Sequence, residues 1–189
     1  MHRPLSVLII EDSEDDAILE MRELKKGGYA PEYKRVETAD AMQEALKEKA
    51  WDVILCDYQL PAFCSMEAIA LLRKTDLDIP LIIVSGVIGE ETAVNCMRDG
   101  AQDYIMKDHL ARLCPTIERE LKEKDQRIKQ KLAEENRQAS DVRFKALFEN
   151  MKRCVAVYEG VNQDEGSDFI IRDFNKAAEQ AENICKEKI

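Results

Sequence analysis

A regular alternation of strand-like and helix-like segments between residues 6 and 106 restricts the fold of this chain more than any other feature. Short apolar or β-branched runs are each followed by a segment whose apolar residues recur at helical spacing. The strand-like runs are residues 6–10, 32–38, 52–56, 81–84 and 103–106, and the helical segments are residues 15–26, 38–50, 66–73 and 90–98. Several runs are continuously apolar, which predicts an α/β fold with a parallel sheet covered on both faces.

Chain handedness and the polarity of one strand favour a strand order that is already known for flavodoxin-like sheets. Crossovers between parallel strands are right-handed, which leaves few topologies. The second run, residues 32–38, is the more polar one and suits an edge position. We therefore predict a doubly wound, five-stranded parallel sheet in the order 2-1-3-4-5, the flavodoxin-like arrangement.

Composition and charge argue against several classes of protein. The 189 residues suffice for one ordinary domain and a smaller remainder, and 45% of them are apolar. A net charge of −10 argues against nucleic-acid binding, which needs a basic patch. Apolar runs fall short of the roughly 20 residues that cross a bilayer, so we expect no membrane partner. The opening MHRPLSVLIIED predicts a strand and not a signal sequence.

The six cysteines indicate neither a disulfide framework nor a zinc site. None stands in a CxxC pair or in a zinc-type cluster with histidine. Cys56 and Cys96 fall within apolar or helical patterns, which predicts small core residues. Because no secretory signal accompanies them, the expected compartment is the reducing cytoplasm.

Chemically useful side chains follow four of the five predicted strands. In a doubly wound sheet, ligands bind at the carboxyl ends of the strands where the order reverses, here between the first and third strands. These ends carry Glu11 and Asp12, Asp57, Ser85 and Lys107. We therefore expect three carboxylates, a hydroxyl and an ammonium to meet in one crevice.

This set of groups favours phosphoryl transfer assisted by a metal ion. Three carboxylates repel one another unless a cation lies among them, and oxygen ligands on a solvated rim favour Mg²⁺. Lys107 and Ser85 would then face a phosphoryl group on Asp57, whose carboxylate would be the nucleophile that forms an acyl phosphate. Taken singly, each residue also has a structural interpretation. Asp57 could cap the next helix, and either an acidic residue (Glu11 or Asp12) or Ser13 could cap the first one. Ser85 could be a turn residue and Lys107 a surface lysine.

Four segments carry a resemblance to a known family. LIIED, DYQLP, IIVSG and DYIMKD occur in this order between Ser6 and Leu121, and the stretch resembles the receiver domains of two-component response regulators, the CheY-like family. The resemblance implies that Asp57 accepts a phosphoryl group from the phosphohistidine of a sensor histidine kinase. It also implies that the domain is not a conventional enzyme, since it catalyses only its own phosphoryl transfer and dephosphorylation.

The same resemblance assigns roles around the phosphoryl site. Mg²⁺ would be held by Glu11, Asp12, Asp57 and the backbone carbonyl of Gln59. Lys107 would pair with the phosphoryl oxygens, and Ser85 would hydrogen-bond them once the phosphate is present. Tyr104 matches the aromatic switch residue, which swings inward as the hydroxyl residue moves.

Two positions depart from the family pattern without touching the chemical groups. Ser65 stands in the loop after the third strand, where glycine is usual, so that loop is expected to differ in shape. Asp108 follows the lysine, where proline and a cis peptide are common.

A long charged helix is predicted after the sheet. Residues 108–113 resemble a short turn, and Pro115 suits the first position of a helix that continues without glycine or proline to about residue 150. A thin apolar seam is formed by Ile117, Leu121, Ile128 and Leu132, interrupted by Lys124 and Asp125. A solvated helix tied by ion pairs and a homodimer through residues 115–150 both remain open.

The last part of the chain resembles the start of a PAS domain. FKALFENMKRCVAVYEG and DFIIRDFNKAAE contain two predicted strands, residues 154–159 and 169–174, with a polar loop at 160–167 between them and a helix from residue 176. We predict a receiver domain over residues 1–121, a signalling helix over 122–143 and the N-terminal part of a PAS domain over 144–189. Downstream PAS or output domains would be partners, and any kinase or cyclase is expected outside this chain.

Three other functions fit parts of the pattern. A flavodoxin would need a loop rich in glycine and hydroxyl groups after the first strand, where this chain has EDSEDD. A phosphatase of the aspartyl-phosphate type usually carries a second acid two residues after its nucleophile, where this chain has Gln59. A receiver-like scaffold that acts only through protein contacts would not need the complete set of chemical groups.

Overall fold

The predicted alternation is present as five strands with helices between them. The computed structural model describes residues 2–61, 63–86, 90–160 and 169–182. In chain order, the elements are β1 (Arg3–Ile10), α1 (Glu14–Lys26), β2 (Tyr29–Val36), α2 (Ala39–Glu48), β3 (Val53–Asp57), α3 (Ser65–Arg73), β4 (Leu81–Ser85), α4 (Glu90–Asp99) and β5 (Asp103–Met106). All neighbouring strands pair in parallel in the order β2-β1-β3-β4-β5. The predicted fold class and strand order are confirmed for this part of the chain.

The boundaries of β2 differ from the prediction. The strand begins at Tyr29 and includes Pro31, whereas the prediction began it after the proline. Proline is tolerated there because β2 is an edge strand, where an N–H donor is not needed on the open side. The strand ends at Val36, and the Thr38 side chain accepts a hydrogen bond from the Ala41 N–H as the N-cap of α2.

Two apolar layers cover the two faces of the sheet. Leu8, Ile54 and Ile83 pack with residues of α2, α3 and α4 on one face. Ile9 and Leu55 belong to the other layer, which contains residues of α1 and of the helix that follows β5. Cys56 and Cys96 are fully buried, which confirms their prediction as small core residues.

A close contact between Gly27 and Cys114 joins the end of α1 to the helix that follows β5. A Cβ atom placed on Gly27 would lie 2.2 Å from the Sγ atom and 2.8 Å from the Cβ atom of Cys114. The φ angle of Gly27 is −75°, which any residue adopts, so the contact and not the backbone conformation requires glycine.

We expect Gly27→Ala to lower the free energy of unfolding by about 1–3 kcal/mol, because overpacking displaces neighbouring atoms. Urea unfolding followed by the fluorescence of Trp51, the single tryptophan, measures this change. Gly86→Ala is the control, since a Cβ there meets no atom within 4 Å. Adding Cys114→Ala should recover part of the loss, and equal stabilities of the two single variants would contradict the prediction.

A long helix follows the sheet. After a 3-10 helix at Lys107–Arg112, α5 runs from Leu113 to Asn150. The helix thus begins two residues before Pro115, the predicted first position. Proline is accepted here because the N–H groups of a helix's first turn have no partner within the helix.

The chain divides into two compact units, Met1–Ile128 and Lys129–Ile189. In the second unit, β6 (Ala156–Gly160) and β7 (Phe169–Phe174) pair antiparallel, and α6 (Lys176–Glu182) follows. Asn175 is fully buried and caps α6, because its Oδ1 accepts hydrogen bonds from the N–H groups of Val155 and Ala178. The predicted strands and helix are present, while most of the predicted loop lies outside the described residues. No helix in the described part of the chain is both long and apolar enough to cross a membrane.

Candidate functional site

The acidic residues predicted for the site lie side by side at one edge of the sheet. Ile10 of β1 is paired with Cys56 of β3, so Glu11 and Asp57 come next to each other at the carboxyl ends of neighbouring strands. The strand order reverses between these two strands. One oxygen each from Glu11, Asp12 and Asp57 lies within 4.8 Å of the others.

None of these three carboxylates is needed as a helix cap. Ser13 caps α1, where its Oγ accepts a hydrogen bond of 3.2 Å from the Asp16 N–H. The N-cap of α3 is Cys64, seven residues after Asp57. Of the caps considered for the first helix, Ser13 is the one present, and Asp57 does not cap α3.

The three acids differ in how deeply they are buried. Glu11 is only 1% exposed, Asp57 is half-buried and Asp12 is exposed. Burial raises the pKa of Glu11, although hydrogen bonds from Lys107 and from the Ser13 N–H act in the opposite direction. Glu11 thus faces the acid cluster from the interior, and Asp12 faces it from solvent.

Lys107 is the cationic centre of the site. Its Nζ lies 2.8 Å from Glu11 Oε2, 2.6 Å from Asp16 Oδ2 and 2.9 Å from Asp57 Oδ2. Burial by itself would lower the pKa of Lys107, but hydrogen bonds to Asp16, Glu11 and Asp57 raise it above its usual value. The lysine is therefore a permanent cation beside Asp57.

Asp16 was not predicted as a site residue. It lies in the first turn of α1, four residues after Asp12. Acidic residues in the first turn of a helix are common because they offset the positive end of the helix dipole. An acid at this position therefore does not by itself indicate a site residue. The available signal was the short connection from β1 to α1, which brings the first helical turn over the strand ends.

Arg35 was also not predicted, and it supports the turn after β1. Its NH1 group donates hydrogen bonds to the carbonyl oxygens of Glu11 at 2.9 Å and Asp12 at 3.1 Å. The same group pairs with Glu37. This side chain of the edge strand β2 thereby holds the backbone that carries two of the acids.

The remaining predicted residues lie around this centre. Ser85 ends β4 and is buried, one position beyond Val84, which is paired with Asp57. Tyr104 of β5 is partly buried and packs against the apolar layer on the side of α4. The backbone N–H of Gln59 is 3.4 Å from Asp57 Oδ1, while the predicted role of its carbonyl as a ligand stays a prediction.

The two departures from the family pattern have local explanations. Ser65 is the buried first residue of α3, and Cys64 before it donates its backbone N–H to Glu67 Oε2 at 3.1 Å. Helical backbone at this position does not require glycine. The peptide between Lys107 and Asp108 is trans, as are all peptides among the described residues.

A buried carboxyl, Glu20, lies behind the site and was missed by the sequence analysis. It is 2% exposed, and its Oε2 has no hydrogen-bond partner among the described residues. Burial raises its pKa to about 8, and the negative charges of Glu11, Asp57 and Asp16 add to this effect while Lys107 opposes it. Glu20 stands one position before Met21 on α1, and no spacing to the other site residues marks it in the sequence.

The arrangement can bind a divalent cation and position a nucleophile. Carboxylate oxygens from three residues converge where hard cations find suitable ligands. A cavity of about 560 Å³ opens beside Asp12 and Gln59, which leaves room for a reactant. Asp57 Oδ2 lies 2.9 Å from the Lys107 ammonium, so a group attached to Asp57 would meet a positive charge.

Comparison with known proteins identifies a family for the first unit. The family model described as the response regulator receiver domain matches residues 7–118. The transcriptional regulatory protein YkoG of Bacillus subtilis is 32% identical over 101 residues, which are 53% of this chain and 43% of that protein. The cell cycle response regulator CtrA of Brucella ovis is 35% identical over 106 residues, 54% of this chain and 44% of that protein. The match thus spans less than half the length of these relatives.

Solved structures show the same fold. The receiver domain of a LuxO repressor protein from Vibrio parahaemolyticus is 29% identical, with a TM-score of 0.56 over 64% of this chain and 92% of that one. The receiver domain of a sensor histidine kinase from Pseudomonas aeruginosa PAO1 is 21% identical, with a TM-score of 0.54 over 62% and 98% of the two chains. That second structure holds a magnesium ion in its active-site cleft.

Proposed function

Because this chain belongs to the response regulator receiver domain family and is homologous to the response regulators of two-component systems, we propose that Asp57 accepts a phosphoryl group from a sensor histidine kinase. The observation that carries the proposal is the contact of Asp57 Oδ2 with Lys107 Nζ, 2.9 Å apart at the carboxyl ends of β3 and β5. A carboxylate beside a permanent cation suits a nucleophile whose product is an anion.

The cation for this reaction is Mg²⁺ in our proposal. The three converging carboxylates offer the oxygen ligands that Mg²⁺ takes, and the solvated rim leaves its other positions to water. Glu11, Asp12 and Asp57 would hold the ion, with the carbonyl of Gln59 as a further ligand. The ion would supply positive charge to the phosphoryl oxygens during transfer.

Residues of this chain perform the rest of the step. An Asp57 carboxylate oxygen attacks the phosphorus atom, the bond from phosphorus to the donor imidazole breaks, and its electron pair returns to the imidazole nitrogen. Lys107 pairs with phosphoryl oxygens, and the hydroxyl group of Ser85 donates a hydrogen bond to one of them. Tyr104 then moves inward beside Ser85, which is a two-state change driven by the new charge.

The change would be passed on through α5. In this proposal residues 1–121 are the receiver, residues 122–143 the signalling helix and residues 144–189 the first part of a PAS domain. Ile128 and Leu132 of the predicted seam are 50% and 56% exposed, which is compatible with pairing of two copies along the helix. The partners would be a histidine kinase, downstream output domains and a second copy of the chain.

Intact-mass spectrometry after incubation with a small phosphoryl donor tests the proposal. We expect one added phosphoryl group in the presence of Mg²⁺, none without it, and loss of the added mass on treatment with hydroxylamine, which cleaves acyl phosphates. Asp57→Asn should abolish the gain. Asp76→Asn, at an exposed acid outside the site, is the matched control and should leave it unchanged.

The alternative function is a receiver-like scaffold that is never phosphorylated. It predicts no mass gain with the small donor and none with histidine kinases, although Mg²⁺ still binds. A gain that persists in Asp57→Asn would instead place the nucleophile at another residue.

A further inference from the structure

The hydrogen-bonding capacity of Lys107 is completely used in this structure. An ammonium group has three N–H donors, and Nζ has one contact to each of three carboxylates, Glu11, Asp16 and Asp57. A phosphoryl oxygen or a metal ion can enter only if some of these contacts are exchanged. The three carboxylates differ in what a cation would do to them.

Glu11 and Asp57 belong to the group of acids that converge on one point, whereas Asp16 does not. A divalent cation at that point would compete with Lys107 for the oxygens of Glu11 and Asp57. Asp16 would keep its oxygen for the lysine, and this contact is the shortest of the three at 2.6 Å. Asp16 is therefore the one of these three lysine partners that a cation at that point would leave undisturbed.

The backbone keeps Asp16 in a defined place. Its N–H is capped by Ser13 Oγ in the first turn of α1, and the turn before it is held by Arg35. The Asp16 side chain is 34% exposed and the Lys107 side chain 20% exposed, so the pair lies at the rim and not in the core. Asp16 is thus anchored where the lysine can stay in contact with it while moving away from the metal ligands.

We propose that Asp16 is a positioning residue, which retains the Lys107 ammonium when a divalent cation takes the oxygens of Glu11 and Asp57 and thereby sets the affinity of the site for that cation. This inference rests on the cation-binding part of the proposed function and not on phosphoryl transfer. Without Asp16, the ammonium has only the two metal ligands as ionic partners and competes with the cation for them. With Asp16, cation binding leaves the lysine one ion pair.

Isothermal titration with MgCl₂ in the absence of any phosphoryl donor tests the proposal. We expect Asp16→Asn to weaken Mg²⁺ binding roughly tenfold, the size of effect found when a group that supports a metal ligand is removed. Asp16→Glu should restore part of the affinity. Asp15→Asn removes the same charge from an exposed position on the same helical turn and should change the affinity much less.

Repeating the Asp16→Asn titration in a variant without the Lys107 ammonium distinguishes a positioning role of Asp16 from the general loss of one negative charge. In Lys107→Met, which keeps the apolar stem without the charge, Asp16→Asn should change Mg²⁺ affinity by no more than about threefold, because only one partly exposed charge is lost. Equal fold-changes in the two backgrounds would overturn the positioning role, as would an unchanged affinity in Asp16→Asn alone.

The same titration distinguishes the failure of this inference from failure of the proposed function. If the wild-type chain binds no Mg²⁺, the cation site is wrong and the role of Asp16 is overturned with it. If wild type binds Mg²⁺ and gains a phosphoryl group while Asp16→Asn titrates like wild type, only the role of Asp16 is overturned. Trp51 fluorescence confirms that each variant is folded before titration.

Discussion

Replacing Glu20 with glutamine should increase the free energy of unfolding of the receiver unit by about 4 kcal/mol above pH 8 in the presence of a chelator. Glu20 is 2% exposed and its Oε2 has no hydrogen-bond partner among the described residues, so its ionised form is strongly disfavoured in the folded chain. Glutamine has nearly the same shape and carries no charge. The variant should therefore avoid the free-energy cost that ionisation imposes on the wild-type fold.

The sign of the pH dependence follows from the two pKa values of Glu20. The ordinary value is 4.5, and burial raises it to about 8 in the folded chain. Between these pH values the folded state holds one more proton than the unfolded state, so this group makes the chain less stable as pH rises. The contribution of Glu20 to the free energy of unfolding is fully present below pH 4.5 and is lost as the pH rises through 8. The stability advantage of Glu20→Gln over the wild-type chain should therefore grow across this pH window.

Urea unfolding of wild type and Glu20→Gln at a series of pH values, followed by Trp51 fluorescence, measures the effect. Glu20→Leu should be at least as stable as Glu20→Gln, because it also removes the polar atom that has no partner. Glu44→Gln, at an exposed glutamate of α2, is the control and should change the free energy of unfolding by less than about 0.5 kcal/mol. A wild-type to Glu20→Gln difference that stays constant from pH 4.5 to pH 8 would contradict the raised pKa.

Lys107→Met is expected to destabilise the metal-free receiver unit by about 3–5 kcal/mol, since it leaves buried charge without a partner. The variant removes the cation from Glu11, which is 1% exposed, and from Asp57, whose side chain is 12% exposed. Added Mg²⁺ should recover most of this loss, because a cation bound by the same acids stabilises only the folded state. The wild-type chain should gain less from Mg²⁺ than the variant does.

The control for Lys107→Met is the same substitution at an exposed lysine. Lys26 is 71% exposed and pairs with Glu23 on α1, so Lys26→Met should change stability by less than about 0.5 kcal/mol. Unfolding curves with chelator and with Mg²⁺ give four free energies for the two variants. If Lys107→Met were no less stable than Lys26→Met with chelator, Lys107 would not be neutralising the acid cluster.

The sequence by itself determined the elements and the edge of the sheet at which the chemistry lies. Continuous apolar runs and the helical period of 3.6 residues are local properties, so β3, α1 and their neighbours could be predicted within a few residues. The ends of parallel strands share one edge of the sheet, so Glu11, Asp57 and Lys107 could be brought together without coordinates. The segment after residue 144 is different, because its assignment to a PAS domain rests on resemblance and stays a prediction.

Only the tertiary structure decided which neighbours these groups have. The positions of Asp16 and Arg35 in the sequence do not reveal their spatial neighbours. Asp16 contacts Lys107, and Arg35 contacts the backbone of Glu11 and Asp12. The burial of Glu20 depends on how α1 packs on the sheet. The contact between Gly27 and Cys114, which are 87 positions apart in the sequence, depends on how their two helices approach each other. Distances and burial between segments remote in sequence follow from packing, and no local pattern encodes them.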